Sequence, residues 1–356
     1  MKRRVTHSVA IGDLFIGSAH PIAIQTMYSD PLLAHYNARN YEELLFSLRS
    51  WTTMGCHIIR FSYPDSSLKE SFTQLCKDSP MPVVADIHFD YKLAIEAITS
   101  GAAKIRINPG NIGNKERVEQ VVKTAKDHAC SIRIGLNGGS LPRKLRQGDH
   151  TTAMVDTALE YLDWFEKWNF TDTVISLKDT DPLTTYNAYE SIASQCSYPL
   201  HLGVTEAGGV VSAVARSSYV LGKLLEQGIG DTMRISITDD IFYEIAAARE
   251  ILRTVGIERG GVNIISCPRC GRASFDSQAF LKKVERRLME IQEPITVAIM
   301  GCQVNGPGEA EQADIAITGL GKRVFLYEKG KLVKEIDEQD AEKILFERIE
   351  ELIRAQ

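Results

Sequence analysis

Four residues near the C-terminal end of this 356-residue chain have the types and spacing of metal ligands. Cys267 and Cys270 lie in SCPRCGR, and Cys302 follows in GCQVNGPGEAEQAD, with Glu309 seven residues after it. A Cys-x-x-Cys plus one further cysteine has three readings. A closed structural zinc site takes four Cys or His ligands, but no histidine follows His201. A thioredoxin-like redox pair opens a helix and would leave Cys302 idle. An iron–sulfur cluster normally takes four thiolates. Three thiolates and one weaker oxygen would leave one iron able to exchange its ligand and act as a Lewis acid. Glu309 is the candidate oxygen, brought back towards Cys302 by an Asn305-Gly306-Pro307-Gly308 turn. A solvated loop glutamate is the plain alternative.

A second group of chemical residues sits at the ends of short β-branched runs. These runs are IAIQT (22–26), HIIRFS (57–62), PVVAD (82–86), AKIRIN (103–108), SIRIGLN (131–137), TVISLK (173–178), LHLGVTE (200–206) and MRISIT (233–238). Segments with helical spacing separate them. Eight strand–helix repeats predict a (β/α)8 TIM barrel, in which reactive groups gather where strands run into the following loops. Those ends carry Arg60, Ser62, Asp86, His88, Arg106, Asn108, Arg133, Asn137, Lys178, Thr205, Glu206, Ser236 and Thr238. In IRIN and IRIG, isoleucines facing the helices would turn the arginines into the barrel. Three arginines and a lysine exceed the two nearby acids, Asp86 and Glu206, and buried positive charge in excess is costly without an anion. Guanidinium forks match phosphate oxygens, so a phosphorylated small molecule is the expected ligand; structural ion pairs at strand ends are the alternative. RINPGNIG (106–113) is either an anion-binding turn or a simple one. Asp86 and His88 share a strand face, suited to a metal or, with no third ligand at hand, to hydrogen bonds with substrate hydroxyls. Glu206 in TEAGG is placed for acid–base work.

Composition bounds the rest. The chain is 44% hydrophobic and 24% charged, with a net charge of −5, which suits a globular protein and argues against nucleic-acid binding. No apolar run is long enough to span a membrane, and Asp13 interrupts the only apolar stretch resembling a signal peptide. Cys56, Cys76, Cys130 and Cys196 are scattered and read as small buried hydrophobes; this usage fits a reducing cytoplasm. The expected organisation is a barrel over 1–255, a Gly-rich linker over 256–262 and a small α+β domain over 263–356. In the small domain, strands NIIS, ITVAIM and DIAIT, a hairpin over Lys329-Gly330 and a terminal helix from about Asp340 are expected.

CPRC and GCQVNGPGEA, together with VADIHFDYKLA, RINPGNIG, RIGLNGGS, HLGVTEAGG and GIGDTMRISIT, closely resemble the 4-hydroxy-3-methylbut-2-enyl diphosphate synthase family over nearly the whole chain. The resemblance implies reductive ring opening of 2-C-methyl-D-erythritol 2,4-cyclodiphosphate in the methylerythritol phosphate route to isoprenoids. It implies a 4Fe-4S cluster on Cys267, Cys270, Cys302 and Glu309, with flavodoxin or ferredoxin as electron donor. It matches the diphosphate-binding positions to Arg60, Arg106, Arg133, Asn137, Lys178 and Ser236, and the essential glutamate to Glu206. One departure is NGGS at 137–140, where NAGS is expected. The helix after the eighth strand carries the chain back to the far end of the barrel, so the small domain starts at the wrong end to reach its own barrel mouth. A homodimer is expected, each cluster domain covering the partner's barrel, with hinge motion about 255–263. Two rivals remain: a Schiff-base barrel enzyme using Lys178, and a non-catalytic zinc-ribbon module.

Overall fold

The computed structural model describes residues 2–141, 147–302, 306–320 and 323–355. The chain divides into two compact units, Met1–Glu258 and Arg259–Gln356.

The first unit opens with a hairpin, β1 (Val9–Ile11) and β2 (Leu14–Ile16), turning through Gly12-Asp13. Its apolar face, Val9, Ile11 and Ile16, packs against Ala23, Ile58, Val84 and Val174 of the barrel strands. Residues early in those strands line the floor, so the hairpin plugs the barrel's N-terminal end. Sequence reading took this stretch only as basic and then apolar. The missed signal was a Gly-Asp pair between two alternating apolar triplets.

Eight parallel strands follow: β3 (Ala23–Met27), β4 (Ile58–Ser62), β5 (Val83–Asp86), β6 (Lys104–Ile107), β7 (Ser131–Asn137), β8 (Thr173–Lys178), β9 (His201–Leu202) and β10 (Thr232–Met233). They run in the order β8-β7-β6-β5-β4-β3-β10-β9. A single bridge, Ile175 with Leu200, closes the ring. The expected TIM barrel is therefore present. The strands are almost wholly buried, as expected of parallel strands covered on both faces.

Helices α1 (Ala38–Thr53), α2 (Lys69–Asp78), α3 (Tyr91–Thr99), α4 (Lys115–Asp127), α5 (His150–Lys167), α6 (Pro182–Gln195), α7 (Val210–Glu226) and α8 (Ile241–Thr254) alternate with these strands. Most begin on an Asn or Asp whose side chain accepts a first-turn N–H: Asn37, Asp90, Asn114, Asp149, Asp181 and Asp240. These caps satisfy orphan donors and fix where each strand-to-helix loop ends.

Two expected strands are cut short. LHLGVTE forms a ladder only over β9, with the Leu200 bridge just before it, and MRISIT only at Met233, the last residue of β10. Arg234 N–H still donates to Leu202 O, but further along Ile237 N–H donates to the Glu244 carboxylate and Thr238 N–H to Gly208 O. Thus Glu206 and Ser236 stand on loops rather than strands.

The second unit is a five-stranded sheet, β11 (Val262–Ser266), β12 (Ile295–Met300), β13 (Ile315–Leu320), β14 (Arg323–Glu328) and β15 (Lys331–Asp337), in that order. The first three strands are parallel and the last pairs antiparallel. Helices α9 (Ser277–Met289) and α11 (Ala341–Arg354) cover one face through Phe280, Val284, Leu288, Leu345, Phe346 and Ile349. Lys329 and Gly330, both at positive φ, make the two-residue turn between β14 and β15.

A short helix, α10 (Gly306–Gln312), joins β12 to β13. This corrects the expected turn. Its described part, 306–308, is the first turn of a helix, and Asn305 lies outside the described residues. Proline is tolerated in a first helical turn because its missing N–H would lack a partner there anyway. Glu309 is thus a helical residue. Among the described residues no helix is long and apolar enough to cross a membrane.

Candidate active site

Strand register brings the barrel's charged residues together at its C-terminal end. Asp86 lies opposite Arg106, and Arg106 opposite Arg133, on three successive strands. Asn137 lies opposite Lys178. Arg60 on β4 faces the same carboxylate: its Nε is 3.7 Å from Asp86 Oδ2, while Arg106 Nη1 is 3.3 Å from Oδ1. Burial opposes ionisation of Asp86, but the flanking Arg60 and Arg106, with His88 and Arg133, hold it well below the usual carboxylate range.

The remaining cations have less. Arg133 is 2% exposed, and its Nε and Nη1 have no hydrogen-bond partner. Lys178 is buried, with its basicity pushed far down by burial and then by Arg133, Arg234, Arg60 and Arg106. Arg60 is pulled down to about 10 by burial, partly offset by Asp86.

Two glycines make this crowding possible. A Cβ at Gly135 would stand 2.5 Å from Arg106 Nε, and one at Gly203 would stand 2.5 Å from Lys178 Nζ. Arg106 also donates through Nη2 to Gly135 O at 3.0 Å. A third glycine explains the departure noted in NGGS: a Cβ at Gly138 would meet Asp179 Oδ2 at 1.8 Å. That carboxylate is paired with His150 Nδ1 at 2.8 Å, so the Asp179–His150 pair takes the space an alanine would need.

The other residues named from sequence divide by environment. Asn108 is buried and its amide is engaged locally, accepting from Gly110 N–H and donating to Ser140 Oγ at 2.8 Å. Asn137 and Ser236 are half-buried at the mouth, and His88 is exposed. Glu206 is exposed and has φ of +50°, a left-handed conformation uncommon for a residue with a side chain. Such a backbone costs free energy and tends to mark functional positions.

Sequence reasoning passed over several residues of the site. Arg234 makes a two-pronged pair with Glu244, with Nη2 at 2.8 Å from Oε1 and Nε at 3.2 Å from Oε2. Glu244 also accepts from Thr26 Oγ1. Its signal was a carboxylate on the apolar stripe of α8, between Ile241, Ile245 and Ala248. Met27 Sδ lies 2.8 Å from Arg60 Nη2. Lys104 and His201 are wholly buried. Lys104 shares strand parity with Arg106 and Asn108, so the alternation already pointed it inward.

In the second unit, Ser266 of β11 lies opposite Ile299 of β12. Cys267 and Cys302 therefore leave the same end of two adjacent parallel strands. Gly301 N–H donates to Cys267 Sγ at 3.1 Å, and Ser277 Oγ lies 3.6 Å from that sulfur. Burial raises the Cys267 thiol, but N–H donation from Arg269 and Gly301 and contact with Ser277 bring it below its ordinary value. Cys302 is buried, Cys270 exposed and Glu309 half-buried. Among the described residues, no three His, Cys, Asp or Glu side chains are grouped about one point as ligands of a single ion. A polynuclear iron–sulfur centre holds its ligands at separate corners, and backbone N–H donation to a ligating sulfur is what such a centre uses. The Cys267 environment and the donor set fit that group. The other four cysteines are unlike these. Burial drives Cys56, Cys76 and Cys130 up to about 12.

A parallel barrel with cations gathered at its C-terminal end, joined to a separate thiol-bearing sheet unit, defines a class: a two-unit α/β-barrel protein. The comparisons sharpen this. The GcpE TIM-barrel domain matches residues 6–249, and the GcpE protein C-terminal domain matches residues 263–351. The chain belongs to the GcpE family. It is 41% identical over 355 residues to a protein of Caldanaerobacter subterraneus subsp. tengcongensis, covering 99% of this chain and 98% of that one. It is 43% identical over 354 residues to a protein of Caldicellulosiruptor saccharolyticus, covering 98% of each. Both relatives are named 4-hydroxy-3-methylbut-2-en-1-yl diphosphate synthase (flavodoxin). Among solved structures, a dihydropteroate synthase of Coxiella burnetii aligns with a TM-score of 0.49 at 12% identity, over 70% of this chain and 97% of that one.

Proposed function

We propose that the barrel's C-terminal end binds 2-C-methyl-D-erythritol 2,4-cyclodiphosphate and that Cys267, Cys270, Cys302 and Glu309 hold a 4Fe-4S cluster. The reaction is the reductive dehydration and ring opening of this compound to (E)-4-hydroxy-3-methylbut-2-enyl diphosphate, in isoprenoid precursor biosynthesis.

The observation that carries the substrate reading is Arg133, buried with two unpartnered guanidinium nitrogens. Buried donors left without acceptors are costly, and phosphate oxygens supply acceptors in pairs. In this reading Arg60, Arg106, Arg133 and Lys178 grip the diphosphate, while Asp86 holds Arg60 and Arg106 in place. Asn137 and Ser236 add neutral donors at the rim, and the buried Asn108 holds the loop beside them through Ser140 and Gly110. Glu206 gives a proton to the departing hydroxyl, which leaves as water. The cluster, when bound, supplies electrons one at a time from flavodoxin or ferredoxin.

Within the barrel unit, α8 is 14 residues, about 21 Å, long and carries the chain away from the mouth. Near its end, Arg249 donates to Met54 O, just before β4 begins. The chain thus exits at the end opposite the cationic site. This favours a homodimer in which one protomer's cluster domain serves its partner's barrel, in the cytoplasm.

The test is anaerobic turnover of the cyclic diphosphate with a reduced carrier, alongside iron and sulfide content and ligand affinity of Arg133→Met. Iron-loaded protein that turns over, and an Arg133→Met variant that binds at least tenfold more weakly, are expected. Wild-type protein containing iron but binding no cyclic diphosphate refutes the substrate reading. Colourless, active protein refutes the cluster.

A further inference from the structure

We infer that Lys104 is a proton-accepting site beneath the anion-binding layer, uncharged in the ligand-free barrel and protonated when a phosphorylated ligand seats above it. This rests on the substrate reading just given and deepens it.

Lys104 opens β6 and is 0% exposed. Its Nζ donates to the Gln25 side-chain oxygen at 3.1 Å. No carboxylate pairs with it among the described residues. The charged and titratable groups around it are one-sided. Arg133 on β7 and Arg60 on β4 act on it, His201 on β9 feels its charge, and Arg106 stands two residues along its own strand; all are bases. Asp86 on β5 is already shared between Arg60 and Arg106. Cys130, next to β7, is kept as a thiol by burial. Burial, then Arg133 and Arg60, push the Lys104 ammonium far below its ordinary basicity. Guanidinium groups do not give up their proton in proteins, whereas buried lysines do. The lysines therefore absorb the conflict.

The resulting charge balance is informative. With Lys178, like Lys104, disfavoured as an ammonium by burial and the arginines, four guanidiniums (Arg60, Arg106, Arg133 and Arg234) face two carboxylates, Asp86 and Glu244, which leaves two positive charges in the ligand-free barrel. The cyclic diphosphate carries two negative ones. Ring opening changes this. One C–O bond to phosphate and one C–OH bond break, a C=C bond forms, two electrons arrive from the one-electron carrier, and one proton leaves with the hydroxyl as water. The freed phosphate oxygen adds a third negative charge. Two negative charges seated above Lys104 already offset the guanidiniums that repel its proton, so binding draws the proton on, and the ammonium so formed stands ready for the third charge.

Lys104 differs here from its neighbours. His201 Nδ1 is tied to Thr232 Oγ1 at 2.7 Å, and its ring starts from a lower ordinary basicity. Lys178 stands at mouth level beside Asn137, where it meets the ligand directly.

The test is calorimetric. The cyclic diphosphate is titrated into anaerobic, oxidised holoenzyme at pH 8, without reductant, in buffers of different ionisation enthalpy. The buffer dependence of the heat counts protons taken up per ligand bound. Wild type should take up about 0.5–1 proton more than Lys104→Met, with unchanged stoichiometry. Lys104→Gln, which keeps a neutral donor beside Gln25, should match Lys104→Met. Binding with no proton uptake, or equal uptake in wild type and both variants, overturns the assignment while leaving the substrate reading intact. Absence of any binding overturns the substrate reading, and this inference with it.

Discussion

Gly135→Ala isolates the packing that aims the arginines. No positive φ constrains Gly135, so alanine suits its backbone, and the effect must come through the side chain. The added Cβ would lie 2.5 Å from Arg106 Nε, 3.1 Å from its Cγ and 3.3 Å from its Cδ, against ordinary contacts of 3.4 Å or more. Three consecutive atoms of a buried side chain are crowded, not a flexible tip. Arg106 has to shift by roughly an ångström, since atoms this close repel steeply. Its 3.3 Å approach to Asp86 and its 3.0 Å bond to Gly135 O would not survive that shift. Hydrogen bonds to charged groups contribute about 1.5–3 kcal/mol each, so losing one aligned contact to the ligand weakens binding about 10- to 150-fold. The assay is anaerobic calorimetry of cyclic diphosphate binding to oxidised protein, with Gly222→Ala as control. Gly222 lies within α7, where an added Cβ meets only Val255 Cγ1 at 3.9 Å. Gly135→Ala binding within twofold of wild type would refute the idea that Arg106 needs this glycine to reach the ligand.

Three further outcomes are expected. Cys302→Ser should lose cluster iron and turnover together; full iron content in folded variant protein would remove Cys302 from the ligand set. Glu206→Gln should keep the iron–sulfur absorption and ligand affinity but lose at least 100-fold in kcat, within the usual range for general acids; near-normal kcat would end the acid role. Lys104→Met should flatten the pH dependence of folding stability. The folded-state pKa of Lys104 lies below the ordinary 10.5, so between the two values the unfolded chain binds more protons and stability rises with pH. One such group adds at most about 1.4 kcal/mol per pH unit. Urea melts from pH 7 to pH 10 should show a shallower rise in the variant and greater stability at pH 7; superimposable curves would mean that Lys104 keeps its charge.

The barrel strands were legible because burial on both faces leaves β-branched runs between polar turns. TVISLK and SIRIGLN coincide with β8 and β7 residue for residue. The ends of β9 and β10 were not legible, since past Arg234, whose N–H still reaches Leu202 O, the backbone turns to partners from elsewhere in the chain: Ile237 N–H to the Glu244 carboxylate and Thr238 N–H to Gly208 O. Alternation pointed Arg106 and Arg133 inward, and the same parity applied to Lys104 and Arg234. The expectation stopped at strand ends and missed the layer beneath. Gly135, Gly203 and Gly138 could not have been read from local pattern, because what excludes a side chain there comes from another strand or the loop after it. The helical first turn at 306–308 was hidden by Gly-Pro-Gly, which as a local signal favours a turn.

The plug made by β1 and β2 has a consequence for traffic. With Val9, Ile11 and Ile16 sealing the floor, the barrel is a well with one opening rather than a tunnel. Substrate entry, departure of the expelled water and exit of the product all share that opening.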